Sequence, residues 1–191
     1  MTEYPNFAAL KQAEREGVDF VIVCRPRPSP VAVIAPHGGG IEPGTSRIAS
    51  AIAGDDFNLY RFEGRKPEGN LRLHITSEHF DEQECLDILS SCDYVVAVHG
   101  CDDEEGTAYL GGRDTDLGAT IRDRLEASGF RTGRHPNPNL QGASALNICN
   151  KGRRRCGVRL ELSCDLRHKL RRDSGMLAIF AAAIRAALAH P

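Results

Sequence analysis

Two apolar runs that each end in histidine and glycine restrict this chain more than any other feature. In Val31-Ala-Val-Ile-Ala-Pro36, β-branched residues fill a short hydrophobic stretch that a proline closes, the pattern of a buried strand. His37, three glycines, Ile41 and Glu42 follow at once, and Pro43 leads into a helix-like run from Ser46 to Ala53. A strand that feeds a helix through a glycine-rich turn is the unit of an open α/β sheet, where ligand chemistry collects at the carboxyl ends of the strands. The glycines free the backbone to bend, so an imidazole and a carboxylate five positions apart can face one point. Tyr94-Val-Val-Ala-Val98 repeats the ending with His99-Gly100.

His37, Glu42 and His99, delivered from two strand ends, make a three-ligand set for zinc. Three protein ligands leave a fourth position for water, the arrangement of a catalytic rather than a structural site. Either half alone reads more readily as a hydrogen-bonded structural histidine. The pair together points to metal.

The remaining pattern bounds the class. At 191 residues the chain suits one α/β domain spanning 1–191. A net charge of −2 argues against nucleic acid as the main partner, and the basic stretch from Lys151 to Arg155 reads as a solvated loop or as a holder of anions. Seven cysteines without a C-x-x-C pair encode no thiol-ligated zinc site and fit reduced thiols. The first residues have neither a basic stretch nor an apolar core, so a cytoplasmic chain without a signal peptide is expected. No apolar run reaches the ~18 residues of a membrane span. A monomer is the expected state.

Periodicity predicts helices from Phe7 to Glu16 (ending at Gly17), Phe80 to Ser91 (opened by Ser77 or Asp81), Asp114 to Ser128 and Met176 to Ala189. It predicts strands from Asp19 to Cys24, Leu59 to Phe62, Leu71 to Thr76, Tyr94 to Val98, Ala108 to Leu110 and Val158 to Leu162. The stretch from Pro136 to Asn150 carries no assignable pattern. Strands alternating with helices imply a three-layer α/β/α sandwich with a mixed, mainly parallel sheet.

In Val158-Arg-Leu-Glu-Leu-Ser163 the period of two puts Arg159, Glu161 and Ser163 on one face and the apolar residues on the other. A glutamate between leucines is costly to bury alone. It either pairs with a cation such as Arg159 or faces a polar cleft. A carboxylate held on a strand and left off the metal suits the proton transfers that zinc hydrolysis needs.

His37-Gly-Gly-Gly-Ile-Glu-Pro-Gly-Thr, Tyr60-Arg-Phe-Glu-Gly, Leu73-His-Ile-Thr-Ser, Val98-His-Gly, Leu110-Gly-Gly-Arg-Asp, Asn147-Ile-Cys-Asn and Gly157-Val-Arg-Leu-Glu-Leu-Ser together resemble the poly-γ-glutamate hydrolase family of bacteriophages and bacteria. The likeness runs in order from about Phe7 to Arg167. It implies a zinc hydrolase with a carboxypeptidase-like fold that cleaves γ-glutamyl amide bonds. By the same likeness His37, Glu42 and His99 would hold Zn2+ and Glu161 would be the general base. The five-residue step from His37 to Glu42 departs from the His-x-x-Glu of ordinary metallocarboxypeptidases.

An anionic polymer, or a small acyl-amino-acid, needs cations or amides to grip its carboxylates. Arg113, Asn147, Asn150, Arg159 and Arg167 are the candidates, with turn caps and surface arginines as the plain alternative. His74 and His79 read first as core or helix-start residues, with lining of the cleft as the alternative. The serine-esterase use of His-Gly-Gly-Gly requires a G-x-S-x-G elbow, and Gly142-Ala-Ser-Ala-Leu lacks its last glycine. Two classes of function stand: a zinc amide hydrolase, acting on γ-glutamyl polymers or as a deacylase or carboxypeptidase of small N-acyl amino acids, and a non-catalytic module whose glycine turn cradles an anion.

Overall fold

The computed structural model of the chain describes residues 3–189. Seven strands form one sheet: β1 (Phe20–Arg25), β2 (Val31–Gly39), β3 (Asn58–Gly64), β4 (Tyr94–Gly100), β5 (Thr107–Gly112), β6 (Arg131–Gly133) and β7 (Val158–Leu162). Their order is β1-β3-β2-β4-β7-β5-β6. β1 against β3 and β5 against β7 are antiparallel, and every other pairing is parallel, so the sheet is mixed and mainly parallel. Because β2, β4 and β7 point the same way, their carboxyl ends share one edge, and that edge carries the site.

Helices cover both faces. On one side α2 (Thr45–Ala53), α4 (Thr115–Ala127), α5 (Cys164–Arg172) and α6 (Ser174–Leu188) bury Ile48, Ile121, Leu166 and Phe180 against Val31, Val33, Val96, Val98 and Leu160. On the other, α1 (Phe7–Ala13) and α3 (Gln83–Ser90) bury Leu10, Cys85 and Leu89 with Ala32, Ile34, Val95 and Ala97. β2 and β4 are thus apolar on both faces, which is why they read as continuous hydrophobic runs. Each large aliphatic side chain so buried contributes about 1.5–3 kcal/mol, enough to fix which way the strands face.

Several local expectations change. Leu71, Leu73 and Ile75 alternate like a strand, but Asn70–Leu73 is a 3-10 turn and the chain then runs irregularly to Ser77. Asn70 folds over the preceding turn instead, with Oδ1 accepting from the Lys66 amide at 2.9 Å and Nδ2 donating to the Lys66 carbonyl at 2.7 Å. Such local bonds compete with sheet pairing. α3 starts at Gln83 rather than Phe80, because the Glu82 carboxylate caps it by accepting from Glu84 and Cys85 amides at 3.1 and 2.9 Å. Asp81 accepts from the Phe7 amide at 2.7 Å, and Ser77 lies in the site. α1 ends at Ala13, short of Gly17, and α6 begins at Ser174 under an Asp173 cap. α5 and β6 have no counterpart in the sequence reading. The irregular stretch holds two 3-10 turns, Pro138–Leu140 and Ile148–Asn150.

Candidate metal centre

A bulge in β2 brings the site together. Ala35 pairs with Arg61 and Gly38 with Glu63, so β2 advances three residues (35 to 38) while β3 advances two (61 to 63). Val31, Val33 and Ala35 face the α2 side. Strict alternation would send His37 there too. The extra residue re-aims it to the opposite face, which is where β4 presents His99 in line with Val95 and Ala97. Gly39, at φ +63°, permits the turn that follows, and a Cβ there would lie 2.3 Å from the Gly64 carbonyl oxygen. Glu42 then folds back beneath the two rings.

His37 Nδ1 lies 2.9 Å from Glu42 Oε1 and 3.1 Å from His99 Nδ1, and His99 Nδ1 lies 3.6 Å from Glu42 Oε2. The outward nitrogens have other partners. His37 Nε2 donates to the Ile75 carbonyl at 2.7 Å, and His99 Nε2 faces the Ser77 hydroxyl at 3.5 Å. The Ile75 carbonyl only accepts, so the His37 proton sits on Nε2, and the Ser77 hydroxyl can accept the proton of His99 Nε2 in the same way. The His37 Nδ1 lone pair therefore points inward, and His99 Nδ1 faces it and the same carboxylate. Burial drives both histidines down to about 3, so neither supplies a second proton. With the Ser77 hydroxyl accepting from His99, two lone pairs and a carboxylate converge, and a cation among them would relieve their repulsion. The set fits a divalent metal of the zinc type, with nitrogen and oxygen donors and an outer hydrogen-bond partner for each ring.

Glu161 is the neighbour of His99 across the β4–β7 ladder and of Tyr109 across β5–β7. It does both things that its sequence context left open. It pairs with Arg159, whose Nε donates to Oε2 at 2.6 Å, and it shares a sheet face with His99. Desolvation pushes its carboxyl up to about 7, against the pull of Arg159 and with the help of Glu42's charge. Arg159 Nη1 also donates to the Ser77 hydroxyl at 3.2 Å.

His74, expected in the core or at a helix start, instead stacks on His37 with ring centroids 4.0 Å apart and Nε2 3.9 Å from Glu42 Oε1. Partial burial lowers it to about 4. His79 is exposed in the turn that follows. Arg167 is buried, and its three hydrogen bonds all go to backbone. Its guanidinium donates to the carbonyls of Pro43, Cys101 and Leu162 at 2.9, 2.9 and 3.1 Å. Those carbonyls belong to the three segments carrying Glu42, His99 and Glu161, so Arg167 clamps their ends together. Gly100 makes room for it, since a Cβ there would lie 2.5 Å from Arg167 Nε. The Gly100 amide meanwhile donates to Glu42 Oε2 at 2.8 Å.

The other expected contacts lie elsewhere. Arg113 is exposed beyond Gly112, which pairs with Val158 at the opposite end of β7 from Glu161. Asn147 Oδ1 accepts from the Cys149 amide at 3.2 Å. Asn150 gives both amide protons to the Gly142 and Ser144 carbonyls, each at 2.8 Å, and accepts from the Gly157 and Arg113 amides at 3.0 and 3.3 Å. It has no donor left for a ligand. Arg153 and Arg154 pair with Asp93 and Asp114.

Cys101, Asp103 and His135 also place ligand atoms within 4.8 Å of one another. Their chemistry differs from that of the first group. His135 Nδ1 accepts from the Asn137 amide at 3.0 Å, so its proton sits on Nε2. That nitrogen lies 3.1 Å from Asp103 Oδ2, at ion-pair distance but off the line of a hydrogen bond. A protonated ring nitrogen has no lone pair for a metal. His37, Glu42 and His99 offer the better donor set.

Residues 4–179 match the family model of poly-gamma-glutamate hydrolase. The UPF0714 protein YndL of Bacillus subtilis (strain 168) is 37% identical over 171 residues, which cover 87% of this chain and 66% of that protein. A bacteriophage poly-gamma-glutamate hydrolase superposes with a TM-score of 0.91 at 31% identity, covering 99% of this chain and 97% of the other. The zinc-free apo form of YndL superposes at 0.93 with 33% identity, covering 100% and 98%. Matched over nearly its whole length in sequence and in fold, the chain belongs to the poly-γ-glutamate hydrolase family.

Proposed function

We propose that the chain is a zinc-dependent amide hydrolase that cleaves the γ-glutamyl linkages of poly-γ-glutamate. The observation that carries this reading is the convergence of two imidazole Nδ1 atoms on one carboxylate beside a buried, charge-paired glutamate. A relative known in a zinc-free form supports zinc as the ion. His37, Glu42 and His99 would hold it.

Zinc bound there would lower the pKa of a water towards ~7 and polarise the scissile carbonyl. Glu161 takes the proton from the attacking water and returns it to the leaving nitrogen. A carboxyl poised at about 7 is matched to both transfers at neutral pH. Arg159 keeps enough of that carboxyl ionised to act as a base, and fixes its position through the Nε contact. The Ile75 carbonyl and the Ser77 hydroxyl hold the two rings in the tautomer that exposes Nδ1. Arg167 keeps the three strand ends in register without touching substrate.

The test is size analysis of poly-γ-glutamate after incubation with the purified chain. The polymer should shorten with zinc present, stay intact after chelation, and shorten again when zinc is restored. Full activity in metal-free protein would overturn the reading. Cleavage confined to small N-acyl amino acids would make the chain a deacylase or carboxypeptidase. Binding by calorimetry without cleavage at any zinc level would make it an anion-binding module.

A further inference from the structure

The segment from His74 to Ser77 supplies the outward partner of both imidazoles. Ile75 does so with its carbonyl, which any residue could offer. Ser77 does so with its side chain. Its Oγ is the only hydrogen-bond partner of His99 Nε2 among the described residues, at 3.5 Å, and it accepts from Arg159 Nη1 at 3.2 Å. Arg159 Nε in turn grips Glu161 at 2.6 Å. One buried oxygen therefore stands between the ring that faces the metal position and the guanidinium that holds the base. The backbone that carries it is anchored, because the Ser77 carbonyl accepts from the Ile148 amide at 2.7 Å.

We propose that Ser77 is a positioning residue that sets the orientation of His99 and, through Arg159, the place of Glu161. The proposal rests on the zinc hydrolase reading. Rotation about the terminal torsion of a histidine is broad, so packing alone leaves the aim of Nδ1 loose, and the bond on Nε2 narrows it. Arg159 has a long flexible stem, and with Nη1 unanchored it would carry Glu161 with it. The residue type follows from what surrounds it. A carboxylate at 77 would compete with Glu161 for Arg159, and an apolar side chain would leave two buried N–H donors unpaired. A small neutral hydroxyl accepts from both.

The experiment compares wild type, Ser77→Ala and Ser77→Thr in three measurements. These are zinc affinity by competition with a chromogenic chelator, the visible spectrum of the cobalt(II)-loaded protein, and kcat and KM on poly-γ-glutamate. Ser77→Ala should bind zinc about 10-fold more weakly, shift the cobalt bands, and lose about 10- to 100-fold in kcat at little-changed KM. Ser77→Thr, which keeps the hydroxyl, should restore all three. Should the alanine variant fail to fold by thermal melting, Ser77→Cys keeps the volume with a poor acceptor and serves in its place. An unchanged zinc affinity and cobalt spectrum, or a loss that threonine does not restore, overturns the proposal. Wild type that binds zinc but leaves the polymer intact would instead fail the hydrolase reading, while affinity and spectrum still judge Ser77.

Discussion

Replacing Arg159 by methionine isolates the electrostatic part of the account. The guanidinium is buried and donates from Nε to Glu161 Oε2 at 2.6 Å, and methionine fills a similar volume without charge. Two unit charges about 4 Å apart attract by about 4 kcal/mol at an effective dielectric constant of ~20. At 1.36 kcal/mol per pKa unit that is about three units of stabilisation of the ionised carboxylate. Bound zinc would replace part of it, so about one to three units is the expected shift. The sign follows from the charges. Arg159 favours the ionised form, so removing it raises the Glu161 pKa above its present value of about 7. The ascending limb of kcat/KM against pH should move up by that amount. Activity at pH 7 should fall about 5- to 500-fold and recover in alkaline buffer. A uniform loss at every pH, with the limb unmoved, would show that Arg159 does not hold the charge on Glu161.

Four further outcomes are expected. Glu161→Gln should retain zinc at wild-type stoichiometry while kcat falls by about 10²–10⁴, read from metal analysis and polymer size together. Arg167→Ala leaves the Pro43 and Cys101 carbonyls without its guanidinium, while the Leu162 carbonyl keeps the Cys101 amide, and should cost about 2–3 kcal/mol in urea unfolding, with weaker zinc binding, because the ends of three site segments come loose. Metal-free protein should lose stability on acidification. His37 and His99 sit at about 3 when folded against 6.5 unfolded, so the unfolded chain binds more protons between those values and stability rises with pH across them. Glu161 opposes this between 4.5 and about 7, where the unfolded chain is ionised and the folded carboxyl keeps its proton, so the rise in melting temperature should be steepest below 4.5 and flatten above it. Inserting one residue beside Pro36, which shifts the parity of β2 once more, should turn His37 towards α2 and abolish zinc binding in a protein that still folds, as judged by circular dichroism.

Much of this was legible because the relevant signals are local. The Val31 and Tyr94 runs are apolar on both faces, so they mark central strands, and the histidines stand directly at their ends. Alternation in β7 put Arg159 and Glu161 together on one face, and the structure joins them in an ion pair. The bulge that makes His37 and His99 neighbours leaves no trace in a period-two pattern, since it reverses the parity that the pattern assumes. α5 is charged over most of its length, with Leu166 and Leu170 as its main apolar contacts, so its periodicity is faint. Asn70–Leu73 imitates a strand because Leu71 and Leu73 alternate, whereas the side chain of Asn70 decides the conformation. Ser77 and Arg167 act across long stretches of chain, on Arg159 and on Pro43 respectively. No spacing rule reaches that far, which is why Arg167 was expected to meet substrate and Ser77 to open a helix.

Anomalous diffraction at the zinc edge from crystals grown with one equivalent of zinc tests the central claim most directly. A single peak should lie within coordination distance of His37 Nδ1, His99 Nδ1 and a Glu42 oxygen, with Glu161 nearby but off the metal. A peak between Cys101, Asp103 and His135 instead, with His37, Glu42 and His99 left unliganded, would contradict the account.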